Sequence, residues 1–465
     1  MHYEKFQDGT VKCIEDEIPF EVPDGWEWTR LGNIVCVLNG DRGQNYPAKS
    51  KLQSEGIPFV SASNIEDGVV SSDGLLYLSD FQYNALGAGK LVAGDIVYCI
   101  RGSLGKCGLF TMEKGAIASS LVIVRSLLSE SSITSYIFLY LNSAFAGEEI
   151  KKYDNGSAQP NLAAKDFMRF LVPLPPPEEL YRINEQAQNA LLFVKRIQNN
   201  KDELNVTIAN AKSKILDLAI RGKLVPQDPN DESASVLLER IRAEKEELIK
   251  QGKIKRDKNE SIIFRGDDNS YYEKVGTETR CIDNEIPFEI PDSWTFVRLK
   301  HIGIIVGGGT PKTNTPSYWD GEIPWLTPAD LSGYTAMYIS SGGRKITEEG
   351  LKSSSAQLMP KGTVLYSSRA PIGYVAISAN PIATNQGFKS VVPFNFSMSE
   401  YLYYCLKART SDVEQRATGT TFKEISGSAM AETIIPLPPI AEQQRIVFSL
   451  QTAINKFFIL EEQLS

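Results

Sequence analysis

The fifteen residues EIPFEVPDGWEWTRL, 17 to 31, return 268 residues later as EIPFEIPDSWTFVRL, 285 to 299. A chain that repeats itself at so long a period folds as two copies of one unit, because a segment that specifies local structure once specifies it again. The match resumes inside each copy at the same offset: GDIVYCIRGSLG (94 to 105) aligns with GTVLYSSRAPIG (362 to 373). It pairs Gly94 with Gly362, Tyr98 with Tyr366, Arg101 with Arg369 and Gly105 with Gly373. It closes with PLPPPEELYRI (173 to 183) against PLPPIAEQQRI (436 to 446), now 263 apart, so the second copy is shorter by five residues. Between these anchors the wording is private: LNGDRGQNYPAKSKLQSEG (38 to 56) and VGGGTPKTNTPSYWDGE (306 to 322) share position and little else.

Within each copy, short runs rich in Val, Ile, Tyr and Phe alternate with Gly, Pro, Asn and Ser turns, and one helix follows, Ser132 to Ser143 or Ser399 to Ala408. The fold class is therefore α+β: two mixed α/β domains in tandem. The prolines that close each copy (Pro173, Pro175, Pro176, Pro177; Pro436, Pro438, Pro439) stiffen an extended exit, and a helix can start directly behind them. Residues then recur at spacings of 3 and 4 through Leu180, Ile183, Ala187, Ala190, Val194, Ile197, Lys201, Leu204, Ile208, Ala211, Ile215 and Leu218, all apolar but Lys201, the seam of a coiled coil. The same register returns at Ile446, Leu450, Phe457 and Leu460. A lone apolar stripe would be left in water, so the two helices are expected to pair; a pseudo-twofold relation between the copies would make them antiparallel. The resulting organisation is a first domain at 1–176, a long helix at 177–222, a connector with a short charged helix at 223–282, a second domain at 283–438 and a distal helix at 439–465. Within the connector, KRDKNESIIFRGDDNS is expected to be a linker.

Bulk properties restrict the chemistry. No apolar run approaches the roughly 20 residues of a membrane span, and Met1 to Thr10 is polar, so the expected location is the cytoplasm. The six cysteines form no CxxC pair, and the two histidines, His2 and His301, have no neighbours at metal-ligand spacing; a zinc site or a histidine triad is not expected. Asp24 with Glu149 and Lys151 could be read as the carboxylates and lysine of a metal-dependent nuclease. Asp before Gly25 or Ser293 is ordinary turn chemistry, however, and the second copy has no matching Glu-x-Lys. Gly307-Gly308-Gly309-Thr310 is not a phosphate loop, nor is Gly102 to Lys106. The chain reads as non-catalytic.

A net charge of −8 does not advertise nucleic-acid binding, but it does not exclude segregated basic faces. Arg101 and Arg369 end a strand at the same repeat position beside a glycine turn. Each either pairs with a carboxylate or is free to contact phosphate or the O6 and N7 of guanine. Lys49, Lys51, Lys106, Lys152 and Lys165 in the first copy, and Lys312, Arg344, Lys345, Lys389, Arg416 and Lys423 in the second, could extend basic faces around them. Asn385 and Gln386, in Asn385-Gln386-Gly387-Phe388, add an amide pair that could suit adenine and is equally good as a turn.

Two divergent domains, each opened by I-P-x-x-(I/V)-P-x-x-W-x-x-x-(R/K)-L and closed by P-L-P-P plus a heptad helix, resemble the specificity subunit of type I restriction-modification systems. LDLAIRGKLVPQDPNDESASVLLERIRAEKEELIKQGKIK (216 to 255) is similar to that family's central region. The resemblance implies two target-recognition domains, each reading one half of a split asymmetric DNA site, with the helices as a ruler. It implies two modification subunits that bring S-adenosylmethionine and adenine methylation, and restriction subunits that use ATP and Mg to translocate and cleave DNA. No cofactor would reside in this chain. One departure stands out: Ser465 corresponds to Asp202, so nothing matches Glu203 to Leu224 of the first copy, and a truncated, inactive subunit or a scaffold that does not bind DNA is the alternative expectation.

Overall fold

The computed structural model describes residues 1–128, 130–154, 160–256, 260–419 and 423–464. They divide into two compact units, Met1–Asn199 and Asn200–Ser465.

In the first unit the ends of the repeat meet. Strand Glu27–Arg30 of the opening motif pairs antiparallel with Leu171–Leu174, placing Trp28 opposite Pro173. Pro173 is tolerated because a two-stranded sheet leaves one side of each strand free of ladder bonds. Between them lies a six-stranded sheet in the order 35–39, 121–126, 96–99, 107–109, 69–70, 65–66, and a four-stranded sheet in the order 76–78, 57–60, 114–117, 90–92. All four residues of Ile96–Cys99 are buried, since the sheet is covered on both faces. Side chains divide with period two: Tyr98, Val122 and Val124 pack toward helix Ser131–Leu141, while Val97, Cys99, Leu121 and Ile123 fill a second core on the other face.

The second unit repeats the plan. Thr295–Arg298 pairs with Ile434–Leu437, setting Phe296 opposite Pro436, which is the register of the first copy. The sheets run 303–307, 389–393, 364–368, 372–378, 338–339 and 344–346, 319–326, 383–384. Tyr401, on helix Ser399–Ala408, donates its hydroxyl to Pro436 O at 2.6 Å, and Tyr136 makes the same bond to Pro173 O.

The helices behind the proline exits span Pro177–Ile220 and Ile440–Leu464. Within the second unit they run antiparallel: Lys212 pairs with Glu461 at 2.7 Å, whereas Gln227, just past the end of the long helix, reaches Glu442 near the start of the other. The seam is only partly closed. Ile208, Ile446 and Leu450 are buried, Ile215 and Phe457 are half-buried, and Leu180 with Ile183 packs into the first domain's own core. Val194, Ile197, Leu204 and Leu460 are 62, 52, 42 and 44% exposed, against the expectation of a continuous seam. At 1.5 Å per residue the distal helix covers about 37 Å and the long one about 66 Å, and the Lys212–Glu461 pair already lies near the distal helix's end.

The connector also differs from expectation. Helix Ala234–Lys250 buries Leu237, Leu238 and Ile241 in the second domain's core. The stretch expected to be a linker contains strand Ser261–Arg265, which joins Tyr271–Val275 and Glu278–Cys281 in a three-stranded sheet; Asp257 to Asn259 lie outside the described residues. In the first unit Tyr3–Lys5 and Val11–Cys13 make the corresponding hairpin.

These hairpins explain a charged cluster present twice. Arg30 binds Glu4 (2.8 Å) and Glu17 (2.7 Å), and Arg298 binds Glu273 and Glu285 (both 2.8 Å). Lys12 supports Glu17 as Arg280 supports Glu285. Burial alone would raise the Glu273 carboxyl, but Arg298, the Ser261 hydroxyl and Arg280 outweigh it and hold it down at about 2. A carboxylate held below its ordinary 4.5 contributes stability above that pH, which is lost as pH falls through the window from about 4.5 to about 2. The contribution is on the order of 3 kcal/mol. Glu273→Gln should therefore lower the denaturation midpoint at pH 7 and flatten stability between pH 5 and 2, measured by urea titration followed by tryptophan fluorescence. Arg298→Ala should cost about 3 to 5 kcal/mol, because it strands buried carboxylates. Arg30→Ala should cost less, since Arg30 is 13% exposed and Arg298 only 5%.

Candidate nucleic-acid interface

The two repeat arginines stand at equivalent ends of the central strands. Arg101 follows Ile96–Cys99, and its guanidinium Nε donates to Asn161 Oδ1 at 3.0 Å. The backbone fixes the approach: Gly102 N bonds Pro160 O and Leu162 N bonds Ile100 O, so residues 160–162 run alongside the strand end. Gly105, at φ +83°, turns the chain back where an added Cβ would lie 2.8 Å from Ile150, and glycine alone occupies that conformation freely. Arg369 follows Val364–Ser368 and pairs with Glu424, which is Asn161's counterpart at the 263 offset. Ile425 N bonds Ser368 O, as Leu162 N bonds Ile100 O.

A loop from the first strand of each copy closes the other side. Gly40 lies against the carbonyls of Ile117 and Ala118, and Gly308 lies against those of Thr384 and Asn385. Behind Gly40, Arg42 donates to Ser119 O (3.1 Å), and Tyr46 Oη accepts from Ser119 N (3.4 Å). Ile100 N bonds Ser120 O, which sets this Ser119–Ser120 turn beside Arg101's strand end. Backbone N–H groups of Gly43 and Gly87 hold the Asp41 carboxyl below the usual carboxylate range and fasten the loop. Behind Gly308, Thr310 donates to Gln386 Oε1 (2.6 Å), and Lys389 reaches Gln386 O (3.4 Å) and Glu424 (3.3 Å).

The sequence candidates fall into three groups. Arg101 in the first copy, and Arg369, Gln386 and Lys389 in the second, come together as described. Lys106 is exposed on the turn after Arg101, Lys165 on helix Ala164–Phe167 after Asn161, and Lys423 beside Glu424. The remaining lysines sit on the outer loops. Lys49 lines a cavity of about 440 Å³ with Tyr46, Phe59, Ser61 and Ser63, and Lys51 is exposed on the same turn. Lys312 is exposed, its carbonyl accepting from Trp319 Nε1 (3.1 Å). Lys345 is exposed next to Arg344, whose guanidinium stacks 3.5 Å from the Trp319 ring centre and 5.9 Å from that of Trp325.

The two arginine environments resolve the choice left open by the sequence, and differently in each copy. Arg369 does pair with a carboxylate, but Lys389 shares that carboxylate, so two cations face one anion. Arg101 is held by a neutral amide and keeps its charge uncompensated at that contact. Either way a positive group is fixed at a strand end, exposed in the first copy and half-buried in the second, the kind of group a phosphate or guanine contact uses. The amide pair is divided: Asn385 Oδ1 accepts Gly387 N within its own loop, while Gln386 is exposed. Glu149 is buried, taken by Lys152 (2.5 Å) and Leu171 N (3.3 Å), and Asp24 is exposed on the opening turn.

A family model for the type I restriction modification DNA specificity domain matches residues 23–210 and 291–465. The chain belongs to the type I restriction-modification DNA specificity family. It is 48% identical over 175 residues to the type I restriction enzyme MjaIX specificity subunit of Methanocaldococcus jannaschii, a match covering 37% of this chain and 40% of that relative. It is 24% identical to the EcoEI specificity subunit of Escherichia coli over 99% of this chain and 82% of that one. The fold is that of the HsdS subunit from Thermoanaerobacter tengcongensis (TM-score 0.53, 18% identity, 97% and 94% covered). It is shared by a chain solved in work on complex assembly and conformational transition of the type I R-M system (TM-score 0.60, 18% identity, 96% and 94% covered).

Within this specificity-family chain, several contributors carry no mark in the sequence taken alone. Arg42, Tyr46, Asn161, Glu424, Thr310 and the Trp319–Trp325 pair lie in the divergent stretches. The repeat offsets would have found some of them, since 268 carries Arg42 onto Thr310 and Gly40 onto Gly308, and 263 carries Asn161 onto Glu424.

The glycine contacts give a graded test. An alanine Cβ at position 308 would lie 1.9 Å from Asn385 O, at position 40 it would lie 3.0 Å from Ala118 O, and at position 307 it meets nothing within 4 Å. Gly308→Ala should lower the melting midpoint by the equivalent of about 1 to 3 kcal/mol. Gly40→Ala should do so less and Gly307→Ala hardly at all, measured by calorimetry on the three variants.

Proposed function

We propose that this chain is a non-catalytic DNA-reading subunit of a type I restriction-modification complex, each domain reading one half of a split, asymmetric duplex site. One observation carries the reading. The two domains hold an arginine at the same strand end with the same antiparallel bridge, to Asn161 or Glu424, yet surround it with different groups. Arg42, Tyr46, Ser119 and Asn161 stand in the first domain where Thr310, Gln386, Lys389 and Glu424 stand in the second. A common frame with private contents is what reading two unlike half-sites from one repeated holder requires. Phosphate contacts would position each domain, and the private groups would select bases.

Its partners on this reading are double-stranded DNA, two modification subunits carrying S-adenosylmethionine, and restriction subunits using ATP and Mg. Adenine methylation and cleavage belong to those partners, and the assembly is cytoplasmic. The name of the Methanocaldococcus relative and the DNA specificity family model support this role. Among the described residues no helix is long and apolar enough to cross a membrane.

The test is selection of bound sequences from a random duplex pool by this chain with its modification subunit. Two different short motifs at one fixed gap should be enriched, and exchanging residues 283 to 435 for those of another family member should change only one of them. Arg101→Ala should weaken binding by roughly 10- to 100-fold and relax preference in the other motif only. Absence of enrichment by an intact complex would replace this reading with that of a scaffold.

A further inference from the structure

The two domains share one further stretch of frame and fill it differently. Ile57-Pro58-Phe59 and Ile323-Pro324-Trp325 stand 266 residues apart. Strand pairing carries the match into the fold: Phe59 lies opposite Ala116 on its parallel side and Leu76 on its antiparallel side, as Trp325 lies opposite Ala383 and Arg344. Leu76 and Arg344 therefore hold equivalent places. Each strand aromatic meets a second ring edge-on, Tyr46 against Phe59 at 5.9 Å and Trp319 against Trp325 at 5.1 Å. A capping pair follows in both copies, with Asn64 Oδ1 accepting from Ser61 N at 3.0 Å and Asp330 Oδ2 from Thr327 N at 2.7 Å.

In the second domain the chain covers this aromatic pair itself, because the Arg344 guanidinium lies 3.5 Å from the Trp319 ring centre. In the first domain Leu76 brings no such group, and the place is a cavity of about 440 Å³, a size that suits a small-molecule guest. Tyr46, Phe59 and Leu76 give it apolar walls, and Ser61, Ser63 and Asn64 give it hydrogen-bonding groups. Lys49 adds a positive charge. Asn64 is 5% exposed, and its amide nitrogen, with two hydrogens to give, makes one long bond among the described residues, to Asp73 O at 3.5 Å. Asp330, at the equivalent place, offers no such donor and accepts from Gly343 N instead. The guest this lining asks for has a flat ring for the aromatic pair, polar edge atoms for the amide and hydroxyls, and an anion for Lys49. No lining residue is acidic, so a guest guanidinium, the group that fills the second copy, would meet Lys49 with no carboxylate to hold it.

We propose that this cavity is a nucleotide-binding site, in which the base lies against Tyr46 and Phe59 and hydrogen-bonds Asn64 and the serines, while Lys49 holds the phosphate. Stacking on an aromatic ring tolerates any base, because every base has a π-face. A base inside a duplex has both faces covered by its neighbours, so the guest is either an unpaired base of bound DNA or a free nucleotide. The site adjoins the first domain's arginine site through Tyr46, whose hydroxyl accepts from Ser119 N. With a free nucleotide as guest the proposal stands apart from DNA reading; with a DNA base as guest it rests on that reading.

The first arm of the test titrates the full-length chain with the deoxynucleoside 5′-monophosphates and, separately, with acetyl-arginine amide, followed by saturation-transfer NMR. Saturable binding of at least one nucleotide is expected, weakened about tenfold or more by Lys49→Glu and by Tyr46→Ala, and unchanged by Lys352→Glu, an exposed charge reversal in the second unit. Lys49 is exposed, so its variant should melt with the parent, and that melt is the folding control. The second arm follows the fluorescence of a duplex carrying one unpaired 2-aminopurine. A signal change that Tyr46→Ala abolishes while the duplex stays bound assigns the guest to DNA; nucleotide binding without that change assigns it to a free nucleotide. Binding of the arginine derivative but of no nucleotide, no saturable binding in either arm, or nucleotide binding indifferent to both Lys49→Glu and Tyr46→Ala would overturn the proposal. Failure of the DNA-reading proposal would look different: a chain that binds mononucleotides and enriches no duplex sequence.

Discussion

An indole N–H donated to a glutamate closes each domain. Trp26 to Glu179 and Trp294 to Glu442 join the tenth residue of the repeated motif to the first turn of the helix that leaves the domain. The strands behind them, 27–30 with 171–174 and 295–298 with 434–437, make the same closure through backbone bonds. Burial pushes the Glu442 carboxyl up, against the pull of Trp294 and Gln227, because the carboxylate is enclosed on the domain that carries its connector. With first and last strands sewn together, the interior can vary widely while the ends and the helix start stay fixed. The arginine sites depend on this, since Arg101 and Arg369 are aimed by central strands whose sheets lie between those ends.

How much of this was legible follows from where the sequence repeats itself. The opening motif, the central strand and the proline exit recur in words, so the tandem α/β plan, the long helices and the strand-end position of Arg101 and Arg369 could be read before any coordinate. The helix expected over Ser399 to Ala408 is found there, and that expected over Ser132 to Ser143 runs Ser131–Leu141. The strand at Ser261–Arg265 was hidden because charged and polar residues surround a run of only three apolar residues, Ile262 to Phe264. What makes it a strand is a long-range partner, Arg298 acting on Glu273 in the neighbouring strand. The seam was over-read for a similar reason: heptad spacing reports that a helix has an apolar stripe, not how far along it a partner extends. The contacts of Asn161, Glu424 and Arg42 lie in stretches without shared wording, where a position has meaning only once the turns are folded.

The two sites also show how a holder can leave its readers free. The contacts that aim each arginine are backbone to backbone, Gly102 and Leu162 in one copy and Ile425 in the other, and such bonds constrain side-chain identity little. The remaining requirement is a glycine where the first-strand loop crosses the neighbouring carbonyls, at 40 and at 308. Outside that point the loop is under no common steric demand, which is where the two copies diverge in length and composition.

The paired terminal strands carry a genetic consequence. The segments 17–31 and 285–299 stand in the same place in each copy, and a crossover between the stretches that encode them would delete one domain together with the helix and connector that follow it. Because each domain's first and last strands pair with each other rather than with the neighbouring copy, the product would still contain one complete closed unit: the first copy's hairpin and opening motif joined in frame to the second copy's sheets and exit. A rearrangement that destroys most folds would here yield a shorter protein with a whole core, so the duplication that built the chain also makes its halves separable by a single event.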